Sequence, residues 1–442
     1  MASTQTNGVN GNHKGHCIQA VLHDIDSLNG KPFANEGERS KALLAAYALV
    51  ARLETPWEFV ARFCMGQPAL ASALKVCKDL QLFDKWHEHY GDGELSSDKL
   101  AEIVGCDPAL LVRLLRHLAA SHLLLESSIG TYKPTKFSLA FLQPVFGEWI
   151  NHLYDATLPL ALTTPSYLQK TYYTTPLDPR NGIFQAAKSC PGSDAFDYFA
   201  SHPREGESFN YVMGGVMAHQ TSWLDIYPSQ TLLEDTANSV VAQKVVNENG
   251  RVEDVVNGEE EKAVLVDVGG NVGHDMQRFY NAHPEAARRC YLQDRPEVVK
   301  LSQVPDPVRK MGYDFFTPQP VQGAKAYYMH GVLHDWPDAS ALRILENQKS
   351  AMTPGYSRLL IHDHVVGRAL DQPHATAYDL TMMGMVAGKE RTEGDWQDLV
   401  GRAGMRVERV WRSEGAVQGI FWRLLLSGCR RGEGEEERGG NM

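Results

Sequence analysis

The stretch Ala263-Val-Leu-Val-Asp-Val-Gly-Gly-Asn-Val-Gly-His-Asp275 decides the fold. Five of the six residues from Ala263 to Val268 are apolar, three of them Val, and Asp267 interrupts near the end. Such a run, closed by two adjacent glycines, reads as a strand buried on both faces, as in a parallel sheet. Gly269, Gly270 and Gly273 then make a tight turn where backbone can approach a ligand closely. Met276-Gln-Arg-Phe-Tyr280 continues as a helix whose first N–H groups face the same spot. In open α/β sheets, small ligands bind at such strand ends.

The texture repeats downstream. Residues 290–293 read as a second strand ending at Asp294, with a helix opening at Pro296. Residues 325–329 form a third strand, followed by His330-Gly-Val-Leu-His334-Asp-Trp-Pro337, and Asp338 is expected to cap a helix reaching Ala351. Residues 358–361 continue as a strand through Asp363, and a helix near 395–401 precedes two late strands at 407–411 and 420–426. Repeated βα units predict an α/β fold with a doubly wound, mainly parallel sheet, the late pair supplying an antiparallel edge.

Upstream, residues 1–36 read as a disordered leader, and residues 37–145 as a mainly helical domain. Helical spacing covers 40–52 and 67–87. Ser96 or Ser97 caps a short helix that Gly105 ends, and Asp107-Pro108 opens the next. Two short strands around Gly130 complete a winged-helix order. The helix in the recognition position offers only Arg113, Arg116 and His117, so packing or dimerisation is favoured over DNA. Residues 146–233 form an aromatic-rich helical connector in which Phe209, Met213 and Met217 belong either to core or to a pocket wall. Residues 234–262 read as an acidic exposed loop, 263–428 as the catalytic domain and 429–442 as a charged disordered tail.

Composition narrows the partners. Lys plus Arg at 43 against Asp plus Glu at 54 gives −11, which disfavours nucleic acid and anionic membranes. No secretory h-region and no run of 18 apolar residues is visible. Seven scattered cysteines, never spaced C-x-x-C, suit a reduced cytoplasmic protein without a zinc finger. His13, His16 and Cys17 read as solvated tail, and no acidic cluster completes a metal site around His362 and His364, so no metal is expected.

Asp294 follows the glycines by about 20 residues, where an acidic side chain accepts the ribose hydroxyls of an adenine nucleoside. The turn lacks G-x-G-x-x-G, so a nucleoside without phosphates, such as S-adenosylmethionine, suits it better than a dinucleotide. His334, just past the third strand, is the best candidate base of the 17 histidines. Asp363 and Glu390 are the carboxylates expected to steady it.

Val266–Gly273, Gln293-Asp-Arg-Pro-Glu-Val298, Tyr313-Asp-Phe-Phe316, His334-Asp-Trp-Pro-Asp338 and Gly388-Lys-Glu-Arg-Thr392 occur in that order. Together they resemble the plant caffeate-type O-methyltransferase family, particularly its fungal secondary-metabolism branch, over roughly residues 45–425. The resemblance implies a seven-stranded Rossmann-like methyltransferase sheet and a homodimer with intertwined N-terminal domains. It implies that Gly269 and Gly270 contact the methionine part of S-adenosylmethionine, that Asp294 binds ribose, and that Asp314 and Phe315 border adenine. It makes His334 the general base, flanked by Asp363 and Glu390, acting on a small hydroxylated acceptor without metal. Asn271 departs from the usual middle glycine, Asp363 from the usual Glu, and His330 from a Lys that contacts the cofactor. Some fungal relatives keep this fold yet catalyse dehydration or pericyclic reactions, which is the alternative activity.

Overall fold

The computed structural model describes residues 33–219, 222–234, 244–246, 252–254, 262–367, 373–412 and 420–426. The expected leader and charged tail lie almost wholly outside these residues. Of the acidic stretch, the described pieces β4 (Lys244–Val246) and β5 (Val252–Asp254) pair antiparallel. The chain divides into two compact units, one ending at Leu53 and the other beginning at Glu54. Among the described residues of the first, helix α1 (Glu36–Leu53) exposes Leu43, Tyr47 and Leu53.

The second unit opens with the winged-helix order. The helical stretch expected at 67–87 is two helices, α2 (Gln67–Asp79) and α3 (Leu82–Tyr90), because Gln81 takes φ 55° and breaks the run. The Ser96 side chain caps α4 (Ser97–Val104) by accepting the Lys99 N–H, and Gly105 closes it at φ 69°. Asp107 caps α5 (Pro108–Ala120) through the Ala109 N–H. Strands β1 (Leu95–Ser96), β2 (Leu124–Ser128) and β3 (Thr131–Pro134) form a small sheet in the order β1-β3-β2. Trp86, Leu100, Leu111, Leu115 and Tyr132 pack in one core beneath it. Helices α6 (Pro144–His152) and α7 (Pro203–His219) then lead toward the main sheet.

That sheet contains β6 (Leu265–Val268), β7 (Cys290–Asp294), β8 (Arg309–Gly312), β9 (Ala326–His330), β10 (Arg358–Asp363), β11 (Met405–Arg412) and β12 (Ile420–Leu426). Its order is β11-β12-β10-β9-β6-β7-β8. Strands β6 to β10 run parallel, and β12 pairs antiparallel with both β10 and β11, as the late strand pair predicts. Strand β8 has no apolar signature because it is an exposed edge reading Arg-Lys-Met-Gly. Both sheet faces are covered, which is why β6 shows no alternation. Val266 and Val268 join one core with Tyr327, Ile361 and Trp396, while Leu265 joins another with Tyr328, Leu360 and Phe279.

Four helices complete the frame: α8 (His274–Ala282), α9 (Asp338–Ala351), α10 (Pro373–Val386) and α11 (Glu393–Arg402). Asp338 is the first residue of α9 instead of its cap, which is Pro337. Its carboxylate is turned to Arg391 at 2.9 Å. From β6 the chain builds outward through β7 and β8, then crosses to the opposite side of β6 for β9. The reversal leaves a crevice at the carboxyl ends of β6 and β9, where ligands of open α/β sheets bind.

Candidate active site

The cofactor side is built from the turn after β6. Gly269 has φ 73° and Gly273 φ 95°, and a Cβ at Gly270 would stand 2.5 Å from the Asp267 carboxylate. Glycine is therefore required by both conformation and packing. Asn271 lies at φ 54°, a left-handed conformation that asparagine tolerates better than most residues. Its side-chain oxygen accepts the Val272 N–H at 2.7 Å. The departure from glycine is accommodated locally.

Asp294 ends β7 directly across from this turn. Its Oδ2 accepts the Asn271 N–H at 2.8 Å and its Oδ1 the Arg295 N–H at 2.7 Å. Burial raises its pKa, against the two backbone donors. Behind it, Gln293 and Gln319 exchange reciprocal amide hydrogen bonds at 2.8 Å, and Gln319 also donates to Gln348 at 2.8 Å. All three side chains are buried, so the end of β7 is tied to α9 by a satisfied polar network. The Phe315 ring lies 3.7 Å from where a Gly269 Cβ would be, with Trp336 edge-on at 5.9 Å. Asp314 is exposed and accepts the Phe316 N–H.

This half of the site fits S-adenosylmethionine. Each Asp294 oxygen retains lone-pair capacity for a ribose diol beyond its single backbone donor. The ligand's cationic sulfonium suits a turn flanked by Asp267, Asp275 and Asp294. Asp267 Oδ2 is buried with no hydrogen-bond partner among the described residues. Burial, with Asp275 and Asp294, pushes the Asp267 carboxyl pKa well up.

His330, at the end of β9, is held by its neighbours. Its Nδ1 lies 2.6 Å from Asp275 Oδ2, and its ring stacks on His362 at 3.9 Å. Burial works against the Asp275 charge, yet His330, His362 and Arg278 hold its pKa down at about 2. Arg278 pairs with Asp275 at 3.1 Å and donates to the Met217 carbonyl at 3.1 Å, tying α8 to α7.

The acceptor side centres on His334, in the 3-10 turn Leu333–Asp335. Its Nδ1 is 2.8 Å from Glu390 Oε1 and 3.8 Å from Asp363 Oδ1, and its Nε2 is 3.5 Å from Asp335. The three expected residues thus meet, Asp363 reaching less closely than Glu390. Burial alone would depress the imidazole pKa; Glu390, Asp335 and Asp363 outweigh it and hold it well above the ordinary value. Glu390 is buried too, but His334 beside it holds its carboxyl well below the usual range. Asp363 is raised, burial exceeding the pull of His334. For Asp335, burial prevails over His334 and pushes the pKa up to about 7.

Strand alternation would put His362 and His364 on one face and Asp363 on the other. The strand stops at Asp363, and the two histidines separate. His362 stays with Tyr328 and His330, while His364 Nδ1 lies 3.7 Å from Glu390, near His334. No group of three or more His, Cys, Asp or Glu among the described residues could hold a metal. Of the apolar stripe on α7, Phe209 is core, stacked on Phe199 at 4.4 Å. Met217 instead reaches the site: a Cβ on Gly331 would stand 3.3 Å from its methyl and 3.5 Å from His334 Nε2.

Sequence reasoning missed Arg391, although it lies in the Gly388–Thr392 motif. The side chain is fully buried and donates to the carbonyls of Leu333 and Trp336, on either side of His334. The signal available was an arginine next to the motif glutamate, but its partners are more than 50 residues away.

The O-methyltransferase domain model matches residues 225–406, and the O-methyltransferase dimerisation domain model matches residues 64–144. The chain is 58% identical to O-methyltransferase mfmE of Annulohypoxylon moriforme over 421 residues, 95% of this chain and 98% of that protein. It is 34% identical to O-methyltransferase asqD of Emericella nidulans, over 78% of this chain and 84% of that one. Among solved structures, a pericyclic reaction enzyme superimposes with TM-score 0.79 at 26% identity, covering 93% of this chain and 99% of its own. LepI in complex with SAM gives the same values. OxaC in complex with SAH and oxaline shares the fold at TM-score 0.76 and 24% identity, over 93% of this chain and all of its own (100%).

Proposed function

Since the chain belongs to the S-adenosylmethionine-dependent O-methyltransferase family, we propose that it methylates a phenolic or enolic hydroxyl of a small secondary metabolite, with His334 as general base. The observation that carries this reading is the His334 imidazole held by Glu390 at 2.8 Å and Asp363 at 3.8 Å, at the carboxyl edge of the sheet.

When bound, S-adenosylmethionine supplies an electrophilic methyl group on a sulfonium. Gly269 and Gly270 would hold its methionine part, Asp294 its ribose, Asp314 and Phe315 its adenine, and His330 would border it through Asp275. Glu390 accepts the Nδ1–H of His334, which fixes the tautomer and leaves Nε2 to take the acceptor's proton. A phenol has a pKa near 10 and an ordinary imidazole near 6.5, a gap of about 3.5 units or roughly 5 kcal/mol. The carboxylates at Nδ1 narrow that gap by stabilising the imidazolium. Positioning the acceptor beside Nε2 supplies the rest.

The active form is a homodimer. Its support is the dimerisation-domain match and the exposure of Trp57 (74%), Phe63 (61%) and Met65 (68%), apolar side chains that a partner would cover. No helix among the described residues is long and apolar enough to cross a membrane.

A second reading, catalysis of a dehydration or pericyclic step without methyl transfer, is favoured by the likeness to the pericyclic reaction enzyme. Incubating purified protein with cofactor and a panel of hydroxylated aromatics and pyridones separates the two. Methylated product and S-adenosylhomocysteine support the first reading; acceptor conversion without either supports the second. If nothing is methylated and His334→Ala changes nothing, the first reading fails.

A further inference from the structure

We propose that Arg391 is a positioning residue for the base, its guanidinium fixing the turn that carries His334 so that Nδ1 meets Glu390. The inference rests on the proposed role of His334.

Arg391 is 0% exposed. Its Nη1 donates to the Leu333 carbonyl at 2.7 Å and its Nη2 to the Trp336 carbonyl at 2.8 Å, so one planar fork grips the turn on both sides of His334. Nε and Nη2 also meet Asp338 Oδ1 at 3.2 and 2.9 Å, and the guanidinium lies 5.2 Å over the Trp396 ring. The turn has little backbone bonding of its own. Its Asp335 and Trp336 N–H groups reach Val332 and Leu333 carbonyls only at 3.3 Å. External donors therefore set its orientation.

Those donors come from one short segment. The Lys389 N–H donates to the His334 carbonyl at 3.0 Å, and a Cβ at Gly388 would collide with the same oxygen. Residues 388–391 thus hold the backbone of His334 while Glu390, in the middle of the segment, holds its ring. The 2.8 Å ion pair is the outcome of a single docked piece. A buried guanidinium is weak as a stabiliser, since apolar replacements of similar volume are often as stable. What it supplies here is geometry, because a lysine is a single point charge and lacks the planar fork.

The charged or titratable groups facing His334 are Asp335 from its own turn, Asp363 and His364 at the end of β10, and Glu390. Tyr378 of α10 packs on His364. Arg391 faces Asp338, which it shares with Lys389 and Arg402. Loosening Arg391 separates Glu390 from Nδ1 and weakens the hold of His334 on its proton.

The test is the titration of isotope-labelled histidine in the full-length protein by NMR, with His334 assigned by its loss in His334→Gln. Arg391→Lys should lower the His334 midpoint by about one pH unit. It should reduce kcat about tenfold while KM for the cofactor stays within about twofold, as expected for a misplaced base. In a Glu390→Gln background the same substitution should leave the midpoint unmoved, because its effect runs through that pair. A midpoint unchanged by Arg391→Lys, or lowered equally in both backgrounds, overturns the proposal. If the lysine variant does not fold, Asp338→Asn decides, since it loosens the guanidinium from a half-exposed partner: a smaller downward shift supports the proposal and none overturns it. The titration reads the imidazole itself, so a wild-type protein that transfers no methyl would end the reading of His334 as base while leaving this test valid.

Discussion

Glu390→Gln removes one negative charge 2.8 Å from His334 Nδ1 and keeps the shape of the side chain. Two unit charges about 4 Å apart interact by about 4 kcal/mol at an effective dielectric of 20. At about 1.4 kcal/mol per pKa unit, that bounds the effect near three units. Asp363 at 3.8 Å and Asp335 at 3.5 Å remain and sustain part of the elevation, so a fall of about one to three units is expected. The direction follows from the chemistry. A base must be neutral at Nε2, so the wild-type rate rises with pH through a His334 pKa held above the ordinary value. In Glu390→Gln that limb moves to lower pH, and the plateau falls because a weaker base faces the same phenol. The pH profile of kcat/KM at saturating cofactor, over about pH 5 to 10, reads both changes. A limb that stays in place, or moves upward, would refute the coupling. Stability carries the same signature. The elevated His334 contributes in full below its ordinary pKa of 6.5, and that contribution is lost as pH rises through the raised folded-state value.

Asp294→Asn keeps the side-chain volume and removes the charge that receives the ribose hydroxyls. With about 1.5 to 3 kcal/mol for hydrogen bonds to a charged group, calorimetry should show cofactor Kd rising about ten- to a hundredfold, with kcat at saturation little changed. An unchanged Kd would place the ribose elsewhere. Asn271→Val puts a β-branched residue at φ 54°, so Tm should fall by a shift equivalent to about 1 to 2 kcal/mol, whereas Asn271→Gly should stay close to wild type. Equal melting of the two variants would argue against strain at the turn.

Much of this architecture is legible in the chain because its signals are local. The apolar run before Gly269 needs no partner to read as a buried parallel strand, and Asp107-Pro108 announces a helix by cap chemistry alone. His334 stands out because it follows the third strand at the rim where ligands of such sheets bind, and an imidazole titrates near neutrality. Other features depend on where elements stop or on partners far away. The parting of His362 from His364 follows from β10 ending at Asp363, and periodicity does not locate a strand's last residue. Edge strand β8 gives no hydrophobic pattern because its side chains face water. Arg391 and the Gln293–Gln319–Gln348 network are bound to residues 18 to 58 positions away, so their roles emerge only once the sheet is assembled. Asp338 has the composition of a helix cap, but its carboxylate is taken by Arg391.

The most direct measurement follows an isotope-labelled methyl group from the cofactor into the acceptor, quantifying S-adenosylhomocysteine in the same samples. One labelled methyl in the product per S-adenosylhomocysteine formed is the expected result. His334→Ala should lower the rate by about a hundred- to ten-thousandfold without changing cofactor affinity. Acceptor consumed with no label gained and no S-adenosylhomocysteine formed would contradict methyl transfer with His334 as its base.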